Sequence, residues 1–179
     1  MAKKPVMLTN NVTDNKNIIS NLSPAKTPKI SVSHPHPTSS DLDIIVDAFN
    51  QLTSSSYEIP PAKENEDNYR QVLIPGWPRN IHYEFITRKS ASKGRKPGLC
   101  IEFHDENGGF LRLKELLPNI SETIGAIDGV SIGCLEYFKN PALVAQIPAS
   151  KSSSDAAESM LELIRRTKDS INTAISGTR

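Results

Sequence analysis

His82, Glu84, Glu102 and His104 are the residues whose types and spacing best suit chemistry. Each pair is spaced i, i+2 within a stretch that alternates. In Asn80–Arg88, Ile81, Tyr83 and Phe85 fall on one side and His82, Glu84 and Arg88 on the other, with Ile86 as the exception. In Leu99–His104, Leu99, Ile101 and Phe103 oppose Cys100, Glu102 and His104. A period of two with aromatic and β-branched residues reads as two half-buried strands. The polar, glycine-containing segment between them predicts a hairpin. A loop from about Arg88 to Gly98 sets Glu84 opposite Glu102 and His82 opposite His104. Facing carboxylates on adjacent strands repel unless something cationic stands between them. Two imidazoles and two carboxylates suit a borderline metal, and a metal so held could activate water. Cys100, Asp105 and Glu106 lie near enough in sequence to join. The plainer reading of the same pattern is the solvated face of an antiparallel sheet. A third is a binding surface without metal. A slip in register dissolves the geometry.

A second candidate is basic. Arg88, Lys89, Lys93, Arg95 and Lys96 crowd the hairpin loop, where they could neutralise nucleic-acid phosphates with salt-sensitive affinity. Arg165, Arg166 and Lys168 add charge on the last predicted helix. Aromatic residues that would stack bases are scarce. Enzymatic templates fit poorly. Restriction-type nucleases need Glu-x-Lys, and Glu102-Phe103-His104 ends in His. There is no P-loop, dinucleotide fingerprint or Gly-x-Ser-x-Gly elbow. No catalytic residue and no cofactor is assigned. His34-Pro35-His36 could bind metal only weakly.

The 179 residues carry a net charge of +1, with 37% apolar. That length suits one domain, and the low apolar share suits a folded part diluted by a polar tail. Near-neutral charge argues against a strongly basic nucleic-acid binder. Cys100 and Cys134 read as reduced thiols. No apolar run is long enough to span a bilayer or serve as a secretory leader, so the expected compartment is the cytoplasm.

The elements that must position these residues follow from periodicity. Residues 1–40 are rich in Asn, Ser, Thr and Pro with scattered apolar residues, and are expected to be a disordered, weakly cationic arm. Residues 41–56 hold a short amphipathic helix over 41–53. It is capped by Ser40 or Asp41, striped with Leu42, Ile45, Val46, Phe49 and Leu52, and ended by Ser54-Ser55-Ser56. A helix this short needs a surface. That surface is either its own domain or a protein partner, with Leu42, Ile45, Phe49 and Leu52 as the contacts. Residues 57–79 read as a linker with a short strand at Gln71–Ile74. Within it, Trp77 is a packing anchor or, if exposed, a further partner contact.

Residues 80–176 form the folded domain. After the hairpin, Phe110 to Ile124 has helical spacing, Pro118 should kink it, and Gly125 ends it. Val130–Phe138 and Ala142–Ile147 read as strands about a turn at Lys139-Asn140-Pro141. Asp155–Ile175 is the strongest helix, with Asp155 and Glu158 as its capping box and Ala157, Met160, Leu161, Ile164, Ile171 and Ile175 as its stripe. Glu162 and Arg166 form an i,i+4 pair. The order β-β-α-β-β-α predicts an α+β fold. Its antiparallel sheet has four strands, or five with Gln71–Ile74, and two main helices on one face.

This pattern is similar to the uncharacterised domain family DUF4268. The likeness rests on the strand ending Leu99-Cys-Ile-Glu-Phe, the helix from Phe110 to Gly125, a strand near Leu135, a late strand and a long last helix. It covers residues 80–175 and carries no diagnostic motif. It implies a domain found alone or attached to restriction-endonuclease-like proteins, with no catalytic residues to transfer.

The leading functional expectation is a non-enzymatic interaction or regulatory protein that recruits a macromolecular partner. The alternatives are a nucleic-acid accessory protein using the basic hairpin, and a metal-dependent hydrolase using the hairpin's polar face.

Overall fold

The computed structural model describes residues 39–62, 67–90, 97–106, 125–128, 130–137 and 140–177. The arm at 1–38, the helix expected at 110–124 and the loop residues Lys93, Arg95 and Lys96 lie outside them.

The fold is α+β. Helix α1 (Ser39–Thr53) precedes strands β1 (Tyr69–Val72), β2 (Ile81–Arg88), β3 (Gly98–Asp105), β4 (Ala126–Ile127), β5 (Val130–Tyr137) and β6 (Asn140–Gln146), and helix α2 (Ser153–Ser176) closes the chain. The sheet is antiparallel, with six strands in the order β1-β2-β3-β6-β5-β4. The four expected strands form its middle. β1 is the anticipated fifth, starting two residues earlier than expected, and the two-residue β4 was not foreseen.

The β2–β3 hairpin has the anticipated register: His82 pairs with His104, Glu84 with Glu102 and Arg88 with Gly98. Gly98 closes the ladder at φ +116°, where a side chain is strained, and a Cβ there would stand 3.2 Å from Gln146 Nε2. Asn140 and Pro141 belong to β6 rather than to a turn. Pro141 pairs with Glu136, and β3 joins β6 only from Ala142 onward. A proline is tolerated there because that end of the strand has one neighbour.

One core runs from α1 to α2. Val72, Ile81, Tyr83, Phe85, Leu99, Ile101, Phe103, Leu143 and Ala145 line one sheet face. Leu42, Ile45 and Phe49 of α1 pack there, as do Ala157, Met160, Leu163, Ile164 and Ile171 of α2. Phe49 meets the edge of Phe85 at 5.7 Å between centroids. Buried Arg70 on β1 donates from Nε and Nη2 to Asp43 Oδ1 at 3.1 and 2.8 Å, pinning α1 to the sheet. Residues 57–62 and 67–79 are therefore part of this unit rather than a linker. Glu58 bridges to Leu73, and Leu73 and Ile74 are buried.

α1 ends where Ser54 and Ser55 take positive φ, as the serine run implies. α2 begins two residues earlier than expected, at Ser153 rather than Asp155. Ser152 is the N-cap: its hydroxyl accepts from Asp155 N, and the Asp155 carboxylate accepts from Ser152 N. The Ser-x-x-Asp spacing supplied the box that Asp155 and Glu158 were expected to make. Thr167 faces the core among apolar neighbours. It donates to Leu163 O at 2.6 Å and lies 2.6 Å from Tyr83 Oη.

Candidate functional site

The opposite face of the hairpin is polar and yet buried. His82 and Glu102 are 0% exposed, Glu84 6% and His104 8%. This corrects the expectation of a solvated face. Charged groups so placed must be paired, because desolvation of an unpaired ion outweighs ordinary packing gains.

The pairing forms a chain of contacts across three strands. On β1, Gln71 donates from Nε2 to Glu84 Oε1 at 3.4 Å, and the same nitrogen is 3.1 Å from His82 Nε2. His82 Nδ1 donates to Arg79 O at 3.0 Å, which turns Nε2 toward Glu84 Oε1, also at 3.0 Å. The other Glu84 oxygen is 3.5 Å from His104 Nε2, which donates to Glu102 Oε2 at 2.8 Å. Arg88 Nη2 donates to Glu102 Oε1 at 3.1 Å. The two imidazoles lie parallel, 5.8 Å between centroids with 7° between planes. Register explains all of this: i, i+2 spacing puts each His beside its own Glu, and pairing puts each beside its counterpart.

Glu106, just past β3, brings a second carboxylate to His82. Its Oε1 is 3.8 Å from His82 Nε2, and its side chain is 51% exposed. Ligand atoms of His82, Glu84 and Glu106 all lie within 4.8 Å of one another. Cys100 shares the polar face but packs with Ile86 and Val144 and donates to Gln146 Oε1 at 3.3 Å. Asp105 pairs with Ile81, so strand alternation turns it to the apolar face.

His82 holds its proton to higher pH than an ordinary imidazole. Burial alone lowers its proton affinity, but the hydrogen bond to Glu84 and the charges of Glu84 and Glu106 outweigh that, with the Arg79 carbonyl adding to them.

The other expected sites separate. Arg88 is an ion-pair partner of Glu102 inside the polar face, while Lys89 is exposed. Leu42, Ile45 and Phe49 are fully buried in the core, so they dock α1 on its own domain and are not partner contacts. Trp77 is a packing anchor: it packs on Tyr83 and Phe103 and donates from Nε1 to Asn172 Oδ1 at 2.6 Å. Leu52 alone of that set is well exposed, at 43%, and Ile44 joins it at 44%.

Ile44, Ala48 and Leu52 follow at i, i+4, i+8, a second apolar stripe beside the buried one. Two clefts of about 440 Å³ each flank Leu52 where α1 meets the start of α2. Neither includes a member of the His–Glu cluster. The second stripe was legible as spacing, but which stripe faces inward depends on the docking angle of the helix.

No protein-family profile, curated protein or solved structure matches the chain significantly. Among the described residues, no helix is long and apolar enough to cross a membrane.

Proposed function

We propose that this protein is a non-enzymatic interaction module that recruits a protein partner through the α1–α2 junction. The observation that carries this reading is the pair of exposed residues Ile44 and Leu52, which line one cleft with the half-buried Ala48 between them, Leu52 also bordering a second cleft. Helices present ridges along i±4 rows, and such a row receives the groove of another helix. The rim is acidic. Asp47, Asp128, Asp155, Glu158 and Glu162 line the clefts. Against these five carboxylates stand Arg165 and Arg166, both near Glu162, and Lys151, which pairs with Asp128. A partner that suits this surface offers an amphipathic helix with basic flanks, since complementary potentials favour encounter and register.

The test is affinity capture from the native cell, comparing the full chain with an Ile44→Asp/Leu52→Asp double variant. Both side chains are exposed, so stability should stay within about 0.5 kcal/mol per site. A partner held by the wild type should be lost by the variant. Capture that is unchanged by the variant overturns the proposal.

A further inference from the structure

We propose that His82, Glu84 and Glu106 bind one divalent transition-metal ion of the zinc class. This does not rest on the interaction reading above and concerns the opposite face of the sheet.

Three observations carry it. First, the donor set is already gathered. His82 Nε2 stands 3.0 Å from Glu84 Oε1 and 3.8 Å from Glu106 Oε1. Tetrahedral ligands about 2.0–2.1 Å from a zinc ion lie roughly 3.3 Å apart, so small side-chain movements complete the site. Glu106 is the half-exposed member, and its oxygen has the longer distance to close.

Second, His82 is oriented as a metal ligand is. Its Nδ1–H donates to the Arg79 carbonyl, which fixes the ring and aims Nε2 at the two carboxylates. Metal-bound histidines commonly carry this backbone bond on the far nitrogen. Gln71 stands beside both Nε2 and Glu84, placed to support a ligand or a metal-bound water at the fourth position.

Third, the cluster is rich in donors of the right kind. Glu84, Glu102 and Glu106 gather around two imidazoles, with the Arg88 guanidinium at the far end on Glu102. Mixed imidazole and carboxylate donors favour zinc-class ions over magnesium or calcium, which prefer oxygen alone. Glu106 keeps one side of the cluster open to solvent, and so supplies an entry path.

The experiment is calorimetric titration of the chelator-stripped full chain with zinc ion alone, repeated with magnesium. Wild type should show one saturable site for zinc and none for magnesium at the same concentrations. Glu106→Ala removes an exposed ligand, so its circular dichroism should match wild type while zinc affinity falls at least about 10-fold. His34→Ala/His36→Ala should titrate like wild type. Absence of a saturable zinc site, wild-type affinity in Glu106→Ala, or loss of binding in the His34/His36 variant would each overturn the proposal.

Discussion

Glu84 and Glu102 face each other across the β2–β3 ladder, and His104 Nε2 lies between them, 3.5 Å from one carboxylate and 2.8 Å from the other. Two like charges in this position repel, and the arrangement holds because an imidazole bridges them and Arg88 meets Glu102 from the far side. The buried polar face is thus one coupled unit. Removing any one member strands the others away from water.

Glu102→Gln should therefore cost about 3–5 kcal/mol, because it leaves Arg88 partly buried without its counter-charge. Arg88→Met should cost a comparable amount, and the double variant less than the sum. Urea unfolding of the four proteins gives the coupling, which should exceed about 1 kcal/mol. Simple additivity would mean that the pair is not the unit described.

The Tyr83–Thr167 contact tests how the helix face is satisfied. Tyr83 Oη is buried and donates to Thr167 Oγ1, which itself donates to Leu163 O. Thr167→Val removes the acceptor and strands the phenol, so it should destabilise by about 1–3 kcal/mol. Tyr83→Phe leaves Thr167 still bonded to Leu163 and should cost less. Equal losses in thermal unfolding would contradict this direction of donation. The phenol proton is held above its ordinary range, mainly by burial.

The α2 cap carries a pH signature. Hydrogen bonds from Ser152, backbone first and then hydroxyl, hold the Asp155 carboxyl below its usual range against the opposing effect of burial, and nearby Lys151 adds to the lowering. A carboxylate whose proton affinity is lower in the folded state stabilises above its unfolded value, about 3.9, and loses that contribution as pH falls through the depressed folded value. Asp155→Asn should flatten the acid side of the stability–pH curve while changing its neutral shape little. Ser152→Ala should cost about 1 kcal/mol at neutral pH. An acid limb unchanged in Asp155→Asn would exclude this carboxylate as its source.

Much of the fold was legible because strand alternation and hairpin closure are local. Ile81, Tyr83 and Phe85 against His82 and Glu84 determine which face each side chain takes. The spacing from Arg88 to Gly98 then sets the register that brings four polar residues together. The serine run that ends α1 and the i,i+4 pair of Glu162 and Arg166 were likewise local. The stripe of Leu42, Ile45 and Phe49 required an apolar surface, but periodicity is silent on whether that surface belongs to the same chain.

By itself, then, the sequence determined the alternating strands, the pairing of Glu84 with Glu102 and the amphipathic helices, since each depends on neighbours a few residues away or on one loop length. Only the tertiary structure decided that the polar face is buried, that Arg88 serves Glu102, that Glu106 reaches His82 and that Leu52 rather than Phe49 stays in solvent. Those outcomes depend on packing between segments far apart in the chain. Burial then turned ordinary polar residues into groups that must find partners, because water no longer supplies them.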